Sequence, residues 1–112
     1  MRNHIQLADA YYRLSDEERK YGESASITNQ RTIVREYCER HGIILVEEFV
    51  DDGFSGGNFE RPGFRALMAA LQEKRITTFA TTDLSRLGRN YLEVGLLQEK
   101  TFPTLGVRYI AV

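Results

Sequence analysis

Ile43-Ile44-Leu45-Val46-Glu47-Glu48-Phe49-Val50 is short, rich in β-branched residues and mostly apolar, which reads as a largely buried strand. Its flanks decide what kind of sheet it joins. On the N-terminal side, Ser26 is a good N-cap for a helix running to about Arg40. Ile27, Ile33, Val34, Tyr37 and Cys38 recur there at helical spacing, and Gly42 stands where a C-terminal cap belongs. Before that helix, Ser15 to Ser24 (SDEERKYGES) is polar and charged, carries Gly22 and reads as a mobile loop. Ile5 to Tyr12 alternates loosely between apolar and polar residues, as a first strand does.

On the C-terminal side, Asp51 to Arg61 is dense in Gly, Asp and Ser and reads as a loop, with Pro62 suited to the first turn of a second helix. Phe64, Leu67, Met68 and Leu71 form that helix's apolar stripe. Ile76 to Thr82 is a third strand. After Leu84 to Asn90 a helix follows through about Phe102, broken by Pro103 and Gly106, and Val107 to Val112 is a fourth strand. Strands alternating with helices imply an α/β fold: a mostly parallel sheet of four or five strands with helices on both faces.

With 112 residues the chain has the length of one domain, 1–112, able to bury about 60–70% of its unfolded surface without staples. A composition 42% hydrophobic and 28% charged excludes both a disordered chain and a membrane span, since no apolar run approaches the roughly 18 residues needed. Cys38 alone cannot make an intrachain disulfide, which fits a reducing, cytoplasmic setting. The 15 basic and 16 acidic side chains leave a net charge of −1. An autonomous DNA-binding domain draws much of its affinity from a basic surplus, and this chain has none. It ends on an apolar strand without a polar tail, as a piece of a longer protein would.

In open α/β sheets, ligands bind beyond the carboxyl ends of the strands. Arg13 and Ser15 follow the first strand, Asp51 to Arg61 the second and Asp83 to Arg89 the third, so three polar segments gather on one edge. Arg13, Arg61, Arg86 and Arg89 present planar forks of donors matched to phosphate oxygens. Several arginines around one serine hydroxyl suit phosphoryl transfer. Against that, a serine after a strand is most often a cap or turn residue, and Arg86 and Arg89 could share one solvated helix face. Gly53 to Asn58 lacks both the P-loop Lys-Ser/Thr and the dinucleotide glycine spacing. No cluster has metal-ligand spacing, and His4 and His41 read as surface residues. Cys38, on an apolar stripe, reads as a small buried hydrophobe. Residue chemistry alone yields an α/β domain with an anion site.

Five motifs in order carry the chain further: Tyr11-Tyr12-Arg13-Leu14-Ser15, Ser26-Ile27-Thr28-Asn29-Gln30, Asp51-Asp52-Gly53-Phe54-Ser55-Gly56, Glu60-Arg61-Pro62-Gly63-Phe64, and Asp83-Leu84-Ser85-Arg86-Leu87-Gly88-Arg89-Asn90. They resemble the serine site-specific recombinases of the resolvase/invertase superfamily, in particular the large recombinases of transposons and phages, over about Ile5 to Val112. The resemblance implies DNA cleavage and rejoining with no metal or nucleotide cofactor. Ser15 would be the nucleophile that becomes linked to a 5′ phosphate, with Arg13, Arg86 and Arg89 as the catalytic clamp. Gln30, Asp52, Ser55, Arg61 and Ser85 match supporting positions. It also implies DNA as partner, and a homodimer that pairs into a tetramer in a full-length recombinase with a dimerisation helix and DNA-binding domains. Thr82 departs from the lysine often found there, and Ser85 from the aspartate of small resolvases. Two other readings share the fold: a catalytically silent oligomerisation remnant and a small-molecule phosphate-binding domain.

Overall fold

A computed structural model describes residues 5–22, 26–53, 61–73, 75–88 and 90–112. The central strand β1, Gln6–Leu14, has its last seven residues buried. It pairs in parallel with β2, Ile43–Asp52, on one side and with β3, Thr78–Thr81, on the other. Beyond β3 lies β4, Arg108–Ala111, giving the order β2-β1-β3-β4 with every pairing parallel. The expected α/β architecture is therefore present, with four strands among the described residues.

Helices cover both faces. Helix α1, Ile27–Arg40, begins at the expected cap, with the Ser26 side chain accepting from the Asn29 amide. It packs Val34 and Cys38 on Ala8, Ala10, Tyr12, Ala80 and Ile110. Alternate residues of the same strands point the other way, where Tyr11 and Phe79 meet Phe64, Leu67 and Leu71 of α2, Pro62–Gln72. Val94 of α3, Tyr91–Leu96, and Phe102 of α4, Phe102–Leu105, complete that layer. The period-2 alternation of β1 thus divides its side chains between two cores. Cys38 is buried and His41 exposed, as expected; His4 lies outside the described residues.

Four expectations need correction. The first strand runs on through Arg13 and Leu14, because Arg13 and Leu14 stay in register with Asp51 and Asp52. For the same reason β2 keeps Asp51 and Asp52, which read as loop. Strand β2 is not largely buried: it is the sheet's edge, and Ile44 and Val46 are 51% and 52% exposed. Finally, Pro103 does not break the last helix. A π-helical turn over Leu97–Thr101 precedes it, so the proline falls at the start of a new turn, where its missing N–H costs little. The helix ends instead at Gly106, whose φ of 72° supplies a left-handed cap.

The topology fixes where a ligand belongs. From β1 the chain crosses to β2 by α1, then returns past β1 to β3 by α2. The order therefore reverses between β1 and β3, which opens a crevice at their carboxyl ends. Arg13 and Ser15 leave one lip of that crevice, and Asp83 to Gly88 the other.

Candidate active site

Arg13 is 2% exposed, held by its backbone and its side chain. Gln30, on the first turn of α1, clamps the backbone: its Oε1 accepts from the Arg13 amide at 3.2 Å and its Nε2 donates to the Arg13 carbonyl at 2.9 Å. The guanidinium crosses to the loop after β3, donating from Nη2 to the Ser85 carbonyl at 2.8 Å and from Nε to the Arg86 carbonyl at 3.3 Å. Arg86 returns the contact, its Nη1 donating to the Arg13 carbonyl at 2.9 Å. The loop itself is a 3₁₀ turn, Leu84–Arg86, capped by Asp83, whose carboxylate accepts from the Ser85 amide and hydroxyl. Arg13 and Arg86 are thus fastened to each other's backbone across the crevice.

Ser15 follows β1 directly and is 6% exposed. Its hydroxyl donates to Glu18 Oε1 at 3.0 Å and accepts from the Glu18 amide at 3.1 Å. The Ser15 amide donates to the same Oε1 at 3.1 Å. The other carboxylate oxygen, Oε2, accepts from Arg86 Nη1 at 2.6 Å, and Arg13 Nη1 lies 3.8 Å from Oε1. One carboxylate therefore joins the serine to both arginines. Burial pushes the Glu18 carboxyl up, but the Ser15 amide and the Arg86 guanidinium outweigh it and hold its pKa below the ordinary glutamate value. Burial lowers the Arg13 pKa, an effect the Glu18 charge opposes.

Arg61 stands behind this site. It is 1% exposed, lies against the Tyr11 and Phe64 rings, and donates to Tyr11 Oη at 3.0 Å, to the Arg86 carbonyl at 3.2 Å and to the Leu87 carbonyl at 2.5 Å. Asp51 completes the buried set, accepting from Tyr11 Oη at 2.8 Å and from the Gly63 and Phe64 amides at 2.8 and 2.9 Å. It satisfies two of the donors orphaned at the start of α2. A Cβ on Gly63 would sit 2.7 Å from the Val50 carbonyl oxygen, so this close docking requires glycine.

The structure brings Arg13, Ser15, Gln30, Arg61 and Arg86 together. Ser85 reaches the group through its carbonyl, while its hydroxyl turns to Asp83. Asp52 lies at the rim and pairs with Arg19 at 2.5 Å. Ser55 and Arg89 lie outside the described residues. Two residues of the cluster were missed by sequence reasoning. Asp51 was overshadowed by its neighbour Asp52. Glu18 sat within a run read as loop, although the spacing Ser15-x-x-Glu18 carries a capping-box signature. Its described part, Glu18–Tyr21, is a 3₁₀ turn.

A parallel sheet in this order thus carries a serine and an arginine pair at its switch point, an arrangement that comparison with known proteins assigns to a class, the catalytic domains of serine recombinases. The sequence model of the resolvase N-terminal domain matches residues 8–108, and the chain belongs to that family. No curated protein sequence matches it significantly. Among solved structures it is similar to the N-terminal catalytic domain of TP901-1 integrase, with 25% identity and a TM-score of 0.84 over 95% of this chain and 76% of that one. It is also similar to the C-terminal catalytic domain of ISC1926 TnpA, an IS607-like serine recombinase, with 26% identity and a TM-score of 0.79 over 95% and 67%. A resolvase family site-specific recombinase from Streptococcus pneumoniae shares the fold at 22% identity and a TM-score of 0.76, over 96% and 72%. Family membership carries the general activity, DNA cleavage and rejoining in recombination. Among the described residues no helix is long and apolar enough to cross a membrane.

Proposed function

We propose that Ser15 is the nucleophile of this recombinase domain. Its Oγ attacks a DNA phosphodiester in line, forming the Oγ–P bond as the P–O3′ bond breaks. The serine proton passes to solvent, the departing 3′ oxygen takes up a proton from solvent and leaves as a hydroxyl, and the chain is left joined to a 5′ phosphate. Rejoining is the reverse attack by a 3′ hydroxyl, so the ester conserves the bond energy and the step calls on no nucleotide. The observation that carries this reading is the anion already seated there: a carboxylate held by the Ser15 hydroxyl and Arg86, with Arg13 beside it. A site that binds one two-oxygen anion against the serine has the donors for another.

In this reading Arg13 and Arg86, with Arg89, stabilise the charge that builds on the non-bridging oxygens. Gln30 positions Arg13 through its backbone, and Arg61 positions the Arg86–Leu87 segment. Asp52, Ser55 and Ser85 border the site. The partners are DNA and further copies of the chain, as a dimer that pairs into a tetramer. With a net charge of −1, the domain by itself binds duplex feebly and relies on other parts of a recombinase to hold DNA.

The test replaces the catalytic domain of a related integrase with this chain and supplies a nicked duplex that traps the cleaved state. The expected result is a covalent protein–DNA species with Ser15, and none with Ser15→Ala despite unchanged DNA binding. Cleavage by the alanine variant would refute the mechanism, and absence of any adduct with Ser15 would favour a silent oligomerisation module.

A further inference from the structure

The contacts of Glu18 exceed what local structure explains. The Glu18 amide donating to the Ser15 hydroxyl and the Ser15 amide donating to the Glu18 carboxylate form a reciprocal pair of the kind that caps helices. Such a cap needs one carboxylate oxygen and no cation. Here the second oxygen is taken by Arg86 at 2.6 Å, from a residue 68 positions away, and Arg13 Nη1 stands 3.8 Å from the first. The carboxylate thus occupies the meeting point of the serine hydroxyl and two guanidinium groups, one from the end of β1 and one from the turn after β3.

A phosphodiester attacked by Ser15 must occupy the same point. Its phosphorus has to come within about 3–3.5 Å of Oγ, and its two non-bridging oxygens need the donors that now face Oε1 and Oε2. Carboxylate and phosphodiester are both monoanions presenting two oxygens, and like charges cannot share so small a space. The serine is also engaged twice: its hydroxyl donates to Glu18 Oε1 and accepts from the Glu18 amide. Both bonds fix the hydroxyl toward Glu18, and a phosphodiester has to take the place of that carboxylate to lie in line with it.

We propose that Glu18 is the internal occupant of the scissile-phosphate site, holding Ser15, Arg13 and Arg86 together in the DNA-free domain and giving way when the phosphodiester arrives. The proposal rests on the reading of Ser15 and the arginines given above. The turn that carries Glu18 is suited to moving. It is a single 3₁₀ turn followed by exposed Gly22, and its other cross-strand anchor is the solvent-facing pair Arg19–Asp52, with side chains about half exposed. The opposing role, a base that stays beside Ser15 to take its proton, sits poorly with a carboxyl whose pKa is held down, against its burial, by the Ser15 amide and the Arg86 guanidinium.

Inorganic sulfate titrated into the 112-residue chain at neutral pH and low ionic strength tests this, followed by the amide resonances of Ser15 and Arg86. Wild type, Glu18→Gln, Glu18→Ala and the double variant Glu18→Gln/Arg86→Ala are compared, with the amide spectrum reporting that each is folded. Removing the competing charge is expected to tighten sulfate binding by about tenfold or more in both single variants, and the added Arg86→Ala change is expected to abolish that gain. Arg86-dependent sulfate binding of equal strength in wild type and Glu18→Gln would overturn the proposal, since it would show that the Glu18 carboxylate does not compete for that point, while leaving the phosphate site intact. Absence of Arg86-dependent binding in every variant would overturn both the proposal and the site beneath it.

Discussion

Arg61 and Arg86 share one edge of one sheet and are 1% and 6% exposed, yet they are held in opposite ways. Arg61 spends its donors on the Arg86 and Leu87 carbonyls and on Tyr11, itself tied to Asp51, which holds the start of α2. These partners belong to the folded core, and none of them could leave without exposing buried polar groups. Arg86 has one donor fixed to the Arg13 carbonyl, and its ion pairs go to two partly exposed carboxylates, Asp83 at 3.7 Å and, more closely, Glu18, whose side chain is 30% exposed on a single turn. The contrast separates an arginine tied only to the core from one whose closest charge partner is partly exposed, which on the proposal above is the one a substrate recruits. Residue type and burial alone do not make the distinction; the exposure of the partner does.

Variants can break that contrast or sharpen it. The largest effect belongs to the inner set. Asp51→Ala strands two amides and the Tyr11 hydroxyl and removes a negative charge near buried Arg61, so it should cost about 3–5 kcal/mol of stability. Urea unfolding measures it, and a loss below about 1 kcal/mol would deny Asp51 its role at α2. Next comes the outer set: Arg86→Lys keeps the charge but loses the fork. In a cleavage-competent recombinase it should slow strand cleavage by about 10²–10³, with less loss of stability than Asp51→Ala. A near-normal cleavage rate would place Arg86 with the structural arginines.

The third variant lies at the far end of β1. Asp9 is 2% exposed, its Oδ1 has no hydrogen-bond partner among the described residues, and burial, helped by the Glu47 charge, pushes its pKa up to about 6. A raised carboxyl pKa means the folded chain favours the proton, so stability is highest below the unfolded value and falls as pH rises toward about 6. The gap from 3.8 to about 6 amounts to up to ~3 kcal/mol. Asp9→Asn should therefore stabilise the domain by up to that amount at pH 7 and flatten the slope between pH 4 and 6. Unchanged stability at pH 7 would show the carboxylate to be solvated. The smallest effect is that of Tyr12→Phe, which removes one hydroxyl bonded to Glu48 at 2.7 Å on the α1 face. It should cost about 1 kcal/mol and leave cleavage unaltered; a catalytic defect would extend the site to that face.

The same contrast governs what could be read from the amino acids. Elements with strong local signals were legible: the Ser26 cap, the stripe of α2, and the alternation that makes a parallel sheet. The edge position of β2 was not, because an apolar run looks alike whether one or two neighbours flank it, and exposed Ile44 and Val46 carry no local mark. Pro103 misled because the π turn over Leu97–Thr101 that precedes it leaves no mark in the amino acids. In the site, Arg13, Ser15 and Arg86 were legible from their place after strands. That Asp51 rather than Asp52 turns inward depends on pleat phase across a strand whose end was drawn two residues short. Glu18 depends on a contact with Arg86, and nothing in a charged loop announces a partner 68 residues on.

The central claim is that the hydroxyl of Ser15, and no other, carries the phosphate. The most direct measurement is proteolysis and mass spectrometry of the covalent adduct trapped on a nicked duplex by a recombinase bearing this domain. The account predicts a nucleotide 5′-phosphate on the peptide containing Ser15, and on none containing Ser26 or Ser85. A nucleotide found on another residue, with Ser15 unmodified, would contradict it.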